Sequence, residues 1–247
     1  MPPAYNQYYY PGVVDLNQPS FWIAAGAICF NPLFWNTVAQ NEYHRGTITK
    51  VLRGKRYLGC YLLGATIFIL GIIRDQLYNQ ALVYQPVHPL LLQPFIKPAA
   101  AALFSIGNVL VLSSMYALGI TGTYLGDYFG ILMDDMVTGF PFNIVRDPMY
   151  VGSTLSFFSV ALWFGKPAGL ILSTLVFIVY LIAMRFEGPF TANIYVSAAK
   201  KRRGRTSANG ESAATIIALQ AEGGPARNTR SHDSPARGTR SKSKKSE

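Results

Sequence analysis

Long apolar runs, separated by short polar or charged stretches, make up most of the chain between residues 19 and 195. Runs of this length predict membrane helices, which we label segments A to D in chain order. Segment A contains Asn31-Pro32, which kinks or interrupts a helix unless neighbouring groups satisfy the backbone, so A is predicted either to cross the membrane or to lie partly in it. The approximate bounds are 21–38 for A, 57–73 for B, 98–120 for C and 149–184 for D.

Segment D is too long for one crossing, because about 20 residues already span the hydrocarbon core of a bilayer. Its middle, residues 165–169, reads GKPAG, which is typical of a turn. We therefore predict two antiparallel helices, D1 over 148–164 and D2 over 168–186. This hairpin returns Tyr150 and Glu187 to one membrane surface, whereas a continuous helix would hold them about 55 Å apart.

The amino-acid composition also indicates a membrane protein. Hydrophobic residues make up 50% of the chain and charged residues 14%, whereas a soluble domain has about 25% charged residues. The net charge of +10 is concentrated in residues 44–56 and in the tail from Lys200, beside apolar segments. This placement is typical of cytoplasmic loops and argues against nucleic-acid binding. We predict an all-α polytopic membrane bundle of four to five membrane segments, including a C-terminal helical hairpin.

Three regions follow from these patterns: a flexible lead-in over 1–18, a membrane-embedded domain over 19–195 and a disordered basic tail over 196–247. The lead-in lacks a basic stretch followed by an apolar core, so it does not read as a cleaved signal. The tail has too few apolar residues to form a core. The 2 cysteines and 3 histidines have no metal-ligand spacing, so we predict no metal site.

Polar residues cluster in three blocks at the ends of apolar segments, where ionisable groups are costly unless they serve a site. The first block, 109–143, is an apolar segment that passes into a polar loop rich in glycine and aromatic residues. Its residues 122–130 read GTYLGDYFG, and the glycines recur every four residues, so on a helix they would share one face. The second block, 146–153, reads RDPMYVGS, and the third, 186–195, reads FEGPFTANIY. Aromatic rings beside carboxylates are a suitable seat for an ammonium group.

In this order and with these intervals, the three blocks resemble the phospholipid N-methyltransferases, over about residues 31–195. Those membrane enzymes methylate phosphatidylethanolamine derivatives to phosphatidylcholine. The resemblance implies S-adenosylmethionine as methyl donor and the mono- and dimethylated lipids in the bilayer as acceptors, with phosphatidylethanolamine as a further candidate. It also implies the endoplasmic-reticulum membrane, with the mitochondrial membrane as a second location.

Candidate cofactor-binding residues follow from the family's motifs. A Gly-x-Gly contact of the family falls on Ser105, Ile106 and Gly107, where serine replaces the first glycine. An adjacent glutamate pair falls on Glu187 and Gly188, which leaves a single carboxylate. The proline, tyrosine and glycine that start the family's last helical region and line its cofactor pocket fall on Pro148, Tyr150 and Gly152.

The reaction also needs groups for the lipid amine, which must lose a proton before it attacks. Glu187 and Asp127 are the candidate bases, and the pattern does not choose between them. The candidate substrate-binding residues are Tyr124, Asp127, Tyr128 and Arg146, of which Arg146 is suited to a lipid phosphate.

Two alternatives stay open at this point. The RDPMYVG and glutamate arrangement also resembles the isoprenylcysteine carboxyl methyltransferases, although the GTYLGDYFGIL block favours the phospholipid branch. A noncatalytic membrane scaffold or small transporter would share the apolar segments without binding a cofactor.

Overall fold

The chain folds into a bundle of helices. The computed structural model describes residues 13–133 and 137–205, and this part has six α-helices, two short 3₁₀ turns and no strand. The α-helices are α1 (Pro19–Arg45), α2 (Thr47–Val51), α3 (Arg56–Val83), α4 (Ile96–Thr123), α5 (Pro148–Trp163) and α6 (Pro167–Arg205). The 3₁₀ turns cover Pro89–Leu92 and Gly126–Phe129. The predicted all-α fold class is confirmed.

Four helical segments are long and apolar enough to cross a membrane, and α5 adds a shorter apolar helix. The 16 residues of α5 are about 24 Å long at 1.5 Å per residue. Helix α5 packs against both α4 and α6. The predicted membrane bundle of four to five segments is therefore confirmed. The four long segments are Pro19–Arg45, Arg56–Val83, Ile96–Phe129 and Pro167–Ala198.

Helix α1 continues through Asn31-Pro32 without a break. The Asn31 side-chain amide donates to the carbonyl of Leu70 on α3 at 3.1 Å, and that of Asn36 donates to the carbonyl of Pro32 at 3.1 Å. The first bond ties α1 to α3, and the second occupies the carbonyl of Pro32 itself. Segment A is thus one helix of spanning length.

The predicted hairpin is present, with α5 and α6 joined by a turn at residues 164–166. Gly165 has a φ of 63°, in the left-handed region that favours glycine. The backbone N–H of Lys166 closes the turn on the carbonyl of Ala161 at 3.0 Å. Gly169 then lets α6 approach α5, since an added Cβ would lie 2.7 Å from the Cβ of Ala161.

Helix α6 is longer than segment D2, which was predicted to end at residue 186. It passes Pro189 and reaches Arg205, so the expected boundary between domain and tail at 195/196 falls inside a helix. Tertiary contacts support the continuation, because the ring of Phe190 stacks on Tyr128 at 5.0 Å and packs edge-on against Tyr43. The sequence AAKKRR at residues 198–203 also favours helix. The rest of the predicted tail, 206–247, lies outside the described residues.

The core sits where α1, α3, α5 and α6 meet. At its centre the Tyr78 hydroxyl lies 2.9 Å from the carbonyl of Phe157, 3.1 Å from that of Gly169 and 2.9 Å from the Ser173 hydroxyl. Helix α4 packs along α5 but touches α3 at few points. Helix α1 packs against both α3 and α6, whereas the boundary between α3 and α4 is loosely packed.

We expect the turn at Lys166 to face the lumen while Arg146 and Ser197 face the cytosol, because the basic segments then share the cytoplasmic side. Single cysteines at these positions, in a chain without Cys29 and Cys60, report this orientation through a membrane-impermeant thiol reagent in sealed microsomes. Labelling at 166 should require detergent, whereas labelling at 146 and 197 should not. Label at 166 in intact vesicles would contradict the topology.

Candidate active site

A cavity of about 710 Å³ opens between the ends of the membrane helices and runs into the bundle. Its walls come from α1, α3, α4, the segment before α5, the first turn of α5 and the middle of α6. Seven of the predicted site residues line it: Tyr124, Asp127, Arg146, Pro148, Tyr150, Glu187 and Gly188. Residues far apart in the chain therefore share one space.

Tyr150 and Glu187 form the central contact of the cavity. Pro148 starts α5, which places Tyr150 in its first turn, and the antiparallel course of α6 brings Glu187 alongside. The Tyr150 hydroxyl donates a hydrogen bond to Oε2 of Glu187. The ring of Tyr180, two turns before Glu187 on α6, meets the ring of Tyr150 edge-on at 4.9 Å. The hairpin thus assembles this pair as expected.

Asp127 enters the cavity from the 3₁₀ turn Gly126–Phe129. Its Oδ1 accepts the backbone N–H of Tyr128 at 3.1 Å, and the Thr191 hydroxyl lies beside the carboxyl. Asp127 is also close enough to Glu187 for their charges to interact. The cavity therefore holds two carboxylates, one from this turn and one from α6.

The glycine block does not form the continuous helix face that its four-residue spacing allows. Helix α4 has non-helical backbone at Gly119 and ends at Thr123, and Leu125 has a positive φ of 58°. A Cβ on Gly126 would lie 2.6 Å from the carbonyl oxygen of Thr121. Glycine is required there because the chain folds back tightly, which aims Asp127 into the cavity.

Tyr128 and Arg146, two predicted substrate contacts, lie in different settings. Tyr128 is 2% exposed and packs in the core with Ala39 and Ile194, outside the cavity lining. Arg146 lies at the cavity rim, where its Nε is 3.8 Å from a carboxylate oxygen of Asp147. Burial raises the pKa of the Asp147 carboxyl, and the neighbouring Arg146 charge opposes that rise. Arg146 is thus the predicted phosphate contact that the cavity reaches.

Four predicted cofactor contacts lie outside the cavity, at or beside the contact between α4 and α5. They are Ser105, Ile106, Gly107 and Gly152. A Cβ on Gly107 would be 2.6 Å from the carbonyl oxygen of Gly152, so the two backbones touch. The Ser105 hydroxyl bonds to its own helix, and Ile106 is 53% exposed. None of the four lines the cavity, whose α4 wall begins at Val111. Their contact with a cofactor stays a prediction.

Several cavity residues were not singled out from the sequence. Arg74 and Asp75 were taken to bound segment B, but α3 continues past them to Val83. Both line the cavity, together with Tyr180, Thr191 and Tyr195. The available signal was the helical spacing of Tyr78, Ala81 and Leu82 after Arg74, which continues the buried face.

Comparison with known proteins agrees with the geometry of this cavity. The sequence model described as phospholipid methyltransferase matches residues 96–198. No solved structure matches the chain.

Curated relatives align along most of their length. The phosphatidyl-N-methylethanolamine N-methyltransferase of Neurospora crassa is 55% identical over 199 residues, 81% of this chain and 92% of the relative. The Saccharomyces cerevisiae enzyme of the same name is 56% identical over 190 residues, 77% of this chain and 92% of the relative. The phosphatidylethanolamine N-methyltransferase of Rattus norvegicus is 48% identical over 184 residues, 74% of this chain and 92% of the relative. With this identity over nearly the whole of each relative, the chain is an enzyme that belongs to the phospholipid methyltransferase family.

Proposed function

We propose that the protein transfers methyl groups from S-adenosylmethionine to the amine of phosphatidyl-N-methylethanolamine and of its dimethyl derivative, yielding phosphatidylcholine. The observation that carries this proposal is the Tyr150–Glu187 pair, which stands where the polar and apolar parts of one membrane cavity meet. A lipid amine and a water-soluble methyl donor must meet at such a boundary. The names of the fungal relatives support the same acceptors.

The polar part of the cavity suits a cationic cofactor. Glu187 and Asp127 supply negative charge, and the rings of Tyr124 and Tyr150 supply aromatic faces, which attract sulfonium and ammonium groups. S-adenosylmethionine would supply the electrophilic methyl group here.

The apolar part of the cavity suits acyl chains. Ile67, Phe68 and Ile72 line it from α3, and Val111 and Met115 line it from α4. Because α3 and α4 touch at few points and the side chains of Phe68 and Ile72 are exposed, this part would open toward the surrounding bilayer. A phospholipid can then bind without leaving the membrane.

The residues of the boundary would orient the amine and accept its proton. Methyl transfer requires the amine nitrogen to be neutral and in line with the methyl carbon, and such alignment contributes roughly 7 to 11 kcal/mol in favourable cases. The Glu187 carboxylate, held by the Tyr150 hydroxyl, can accept a proton from the amine, and Asp127 provides a second acceptor in the same cavity. We assign these roles to Glu187 and Asp127 as part of the proposal.

The proposed location is the endoplasmic-reticulum membrane, with the mitochondrial membrane as a second site. The polar part of the cavity would face the cytosol, because the methyl donor is available there.

Incubation of the purified protein with methyl-labelled S-adenosylmethionine and each of the three amine lipids tests this function. We expect label in the products of the monomethyl and dimethyl lipids, with phosphatidylcholine as the final product. The unmethylated lipid shows whether the first methylation is included. Absence of label in both methylated acceptors, from protein that binds the cofactor, would refute the proposed substrates.

A further inference from the structure

Arg74 is a charged residue deep in a membrane helix. It lies about 27 Å along α3 from Arg56 and about 13 Å from Val83, at 1.5 Å per residue. Its side chain is 12% exposed and lines the cavity. Charged residues at such depth are costly and commonly serve a ligand or ion path. The position therefore needs an explanation beyond helix packing.

The contacts of Arg74 leave room for a further anion. Nη1 donates to the Tyr180 hydroxyl at 2.7 Å, Nε donates to Oδ1 of Asp75 at 3.0 Å, and Nη2 lies 2.9 Å from the same oxygen. The Phe157 ring packs under the guanidinium at 4.9 Å. These contacts use three of the five N–H groups of a guanidinium. Asp75 is 52% exposed, so solvent screens part of its interaction with Arg74.

The surroundings of Arg74 restrict the ligand. Phe68 and Ile72 precede it on α3, and Val111 faces them from α4, so the space beside the guanidinium is apolar and open toward the bilayer. A ligand that fills this space needs an anionic group joined to long apolar chains. Guanidinium groups bind phosphate through paired N–H donors, which suits the phosphodiester of a phospholipid.

We propose that Arg74, rather than the more exposed Arg146 at the cavity rim, binds the phosphodiester of the phospholipid substrate, with the acyl chains leaving between α3 and α4. This subsite rests on the proposed function and names the group that recognises the lipid. The rings of Tyr180 and Tyr150 connect the guanidinium to Glu187, through the Arg74–Tyr180 hydrogen bond, the ring contact and the Tyr150–Glu187 hydrogen bond. In this arrangement the phosphate would lie at Arg74 and the amine would point along the two rings toward Glu187.

Two lipids that differ in the phosphate test this subsite. Dioleoyl phosphatidyl-N,N-dimethylethanolamine carries a phosphodiester, whereas dioleoyl dimethylammonium propane presents the same type of amine without phosphate. Binding of each to purified protein in nanodiscs is measured directly, so the result does not depend on turnover. For Arg74→Gln we expect about ten- to a hundredfold weaker binding of the phospholipid. The phosphate-free lipid should bind within twofold of the wild type.

Three further variants separate phosphate binding from a structural role. Arg74→Lys keeps the positive charge but lacks the paired N–H donors. Its affinity for the phospholipid should therefore lie between those of the wild type and Arg74→Gln, with the affinity for the phosphate-free lipid unchanged. This variant takes the place of Arg74→Gln if the latter does not fold. Tyr180→Phe removes only the hydroxyl that contacts Arg74 and should leave the lipid selectivity intact. Arg53→Gln removes an exposed positive charge outside the cavity and should match the wild type.

Other outcomes would overturn the subsite. Equal losses for both lipids, or a Tyr180→Phe variant that reproduces Arg74→Gln, would show that Arg74 acts by holding the aromatic rings. A loss of S-adenosylmethionine affinity with unchanged lipid affinity would assign Arg74 to the carboxylate of the cofactor. If the wild type binds the phospholipid through Arg74 but does not methylate it, the proposed function fails while the subsite stands.

Discussion

Replacing Glu187 by glutamine is expected to weaken S-adenosylmethionine binding and methyl transfer by about ten- to a hundredfold. The change keeps the side-chain volume but removes the charge that accepts the Tyr150 hydrogen bond and faces the cationic cofactor. Glu187→Asp keeps the charge on a shorter side chain, so its cofactor affinity and methyl-transfer rate should lie between those of the wild type and Glu187→Gln. Cofactor titrations and single-turnover rates on purified protein measure the effect.

A matched control for this prediction is Glu42→Gln. Glu42 is also buried, but it accepts hydrogen bonds from the backbone of Ile48 and Thr49 at the start of α2, away from the cavity. Its substitution should lower the melting temperature and leave cofactor affinity unchanged. Gly188→Glu should be tolerated, because it restores the glutamate pair of the family. Cofactor affinity and turnover of Glu187→Gln within twofold of the wild type would show that Glu187 only anchors α6.

Tyr150→Phe tests whether the hydrogen bond between Tyr150 and Glu187 contributes to cofactor binding and methyl transfer. If the hydroxyl positions the carboxylate, the double variant should lose less than the sum of the two single losses. Additive losses would mean that the two side chains act independently.

The hairpin and the meeting of Tyr150 with Glu187 could be predicted from the sequence because both depend on local signals. The GKPAG turn, the length of the apolar run and the positions of basic residues fix where the chain reverses. Once it reverses, the first turn of α5 and the middle of α6 must lie side by side. No knowledge of side-chain packing was needed for that step.

The course of α3 and α6 could not be predicted in the same way. Arg74-Asp75 looks like a membrane boundary, since nothing near it in sequence shows that Tyr180 on α6 will bind the guanidinium. Segment D2 was predicted to end at residue 186, since nothing near that position shows that Phe190 will stack on Tyr128, far away in the chain. In both cases a contact with a residue far away in the chain stabilises a helix that local sequence signals would end.

The spacing of glycines in the block at 122–130 did not decide between two structures. Four-residue spacing is compatible with one helix face and also with a tight turn, and only the positive φ angles at Leu125 and Gly130 distinguish the two. The turn brings Asp127 toward Glu187, so the cavity obtains a second carboxylate from another element, although the chain lacks the adjacent glutamate pair.

Adding a methyl group at Gly152 is expected to destabilise the protein by about 1 to 3 kcal/mol, the usual cost of overpacking. An added Cβ would lie 2.5 Å from the carbonyl oxygen of Gly107, and backbone cannot move aside as a flexible side chain does. Gly107→Ala should behave alike, since its Cβ would meet the Gly152 carbonyl.

Gly26→Ala is the matched control for the glycine pair, because an added Cβ there has no atom within 4 Å. It should leave the melting temperature unchanged or raise it slightly, as alanine favours helix over glycine. Thermal unfolding in detergent, with and without S-adenosylmethionine, measures the three variants. A melting temperature of Gly152→Ala equal to that of Gly26→Ala would contradict the close α4–α5 contact. Loss of the cofactor-induced shift in Gly152→Ala and Gly107→Ala, beyond the loss of stability, would support the predicted cofactor contact at these glycines, because packing alone lowers stability without that selective effect.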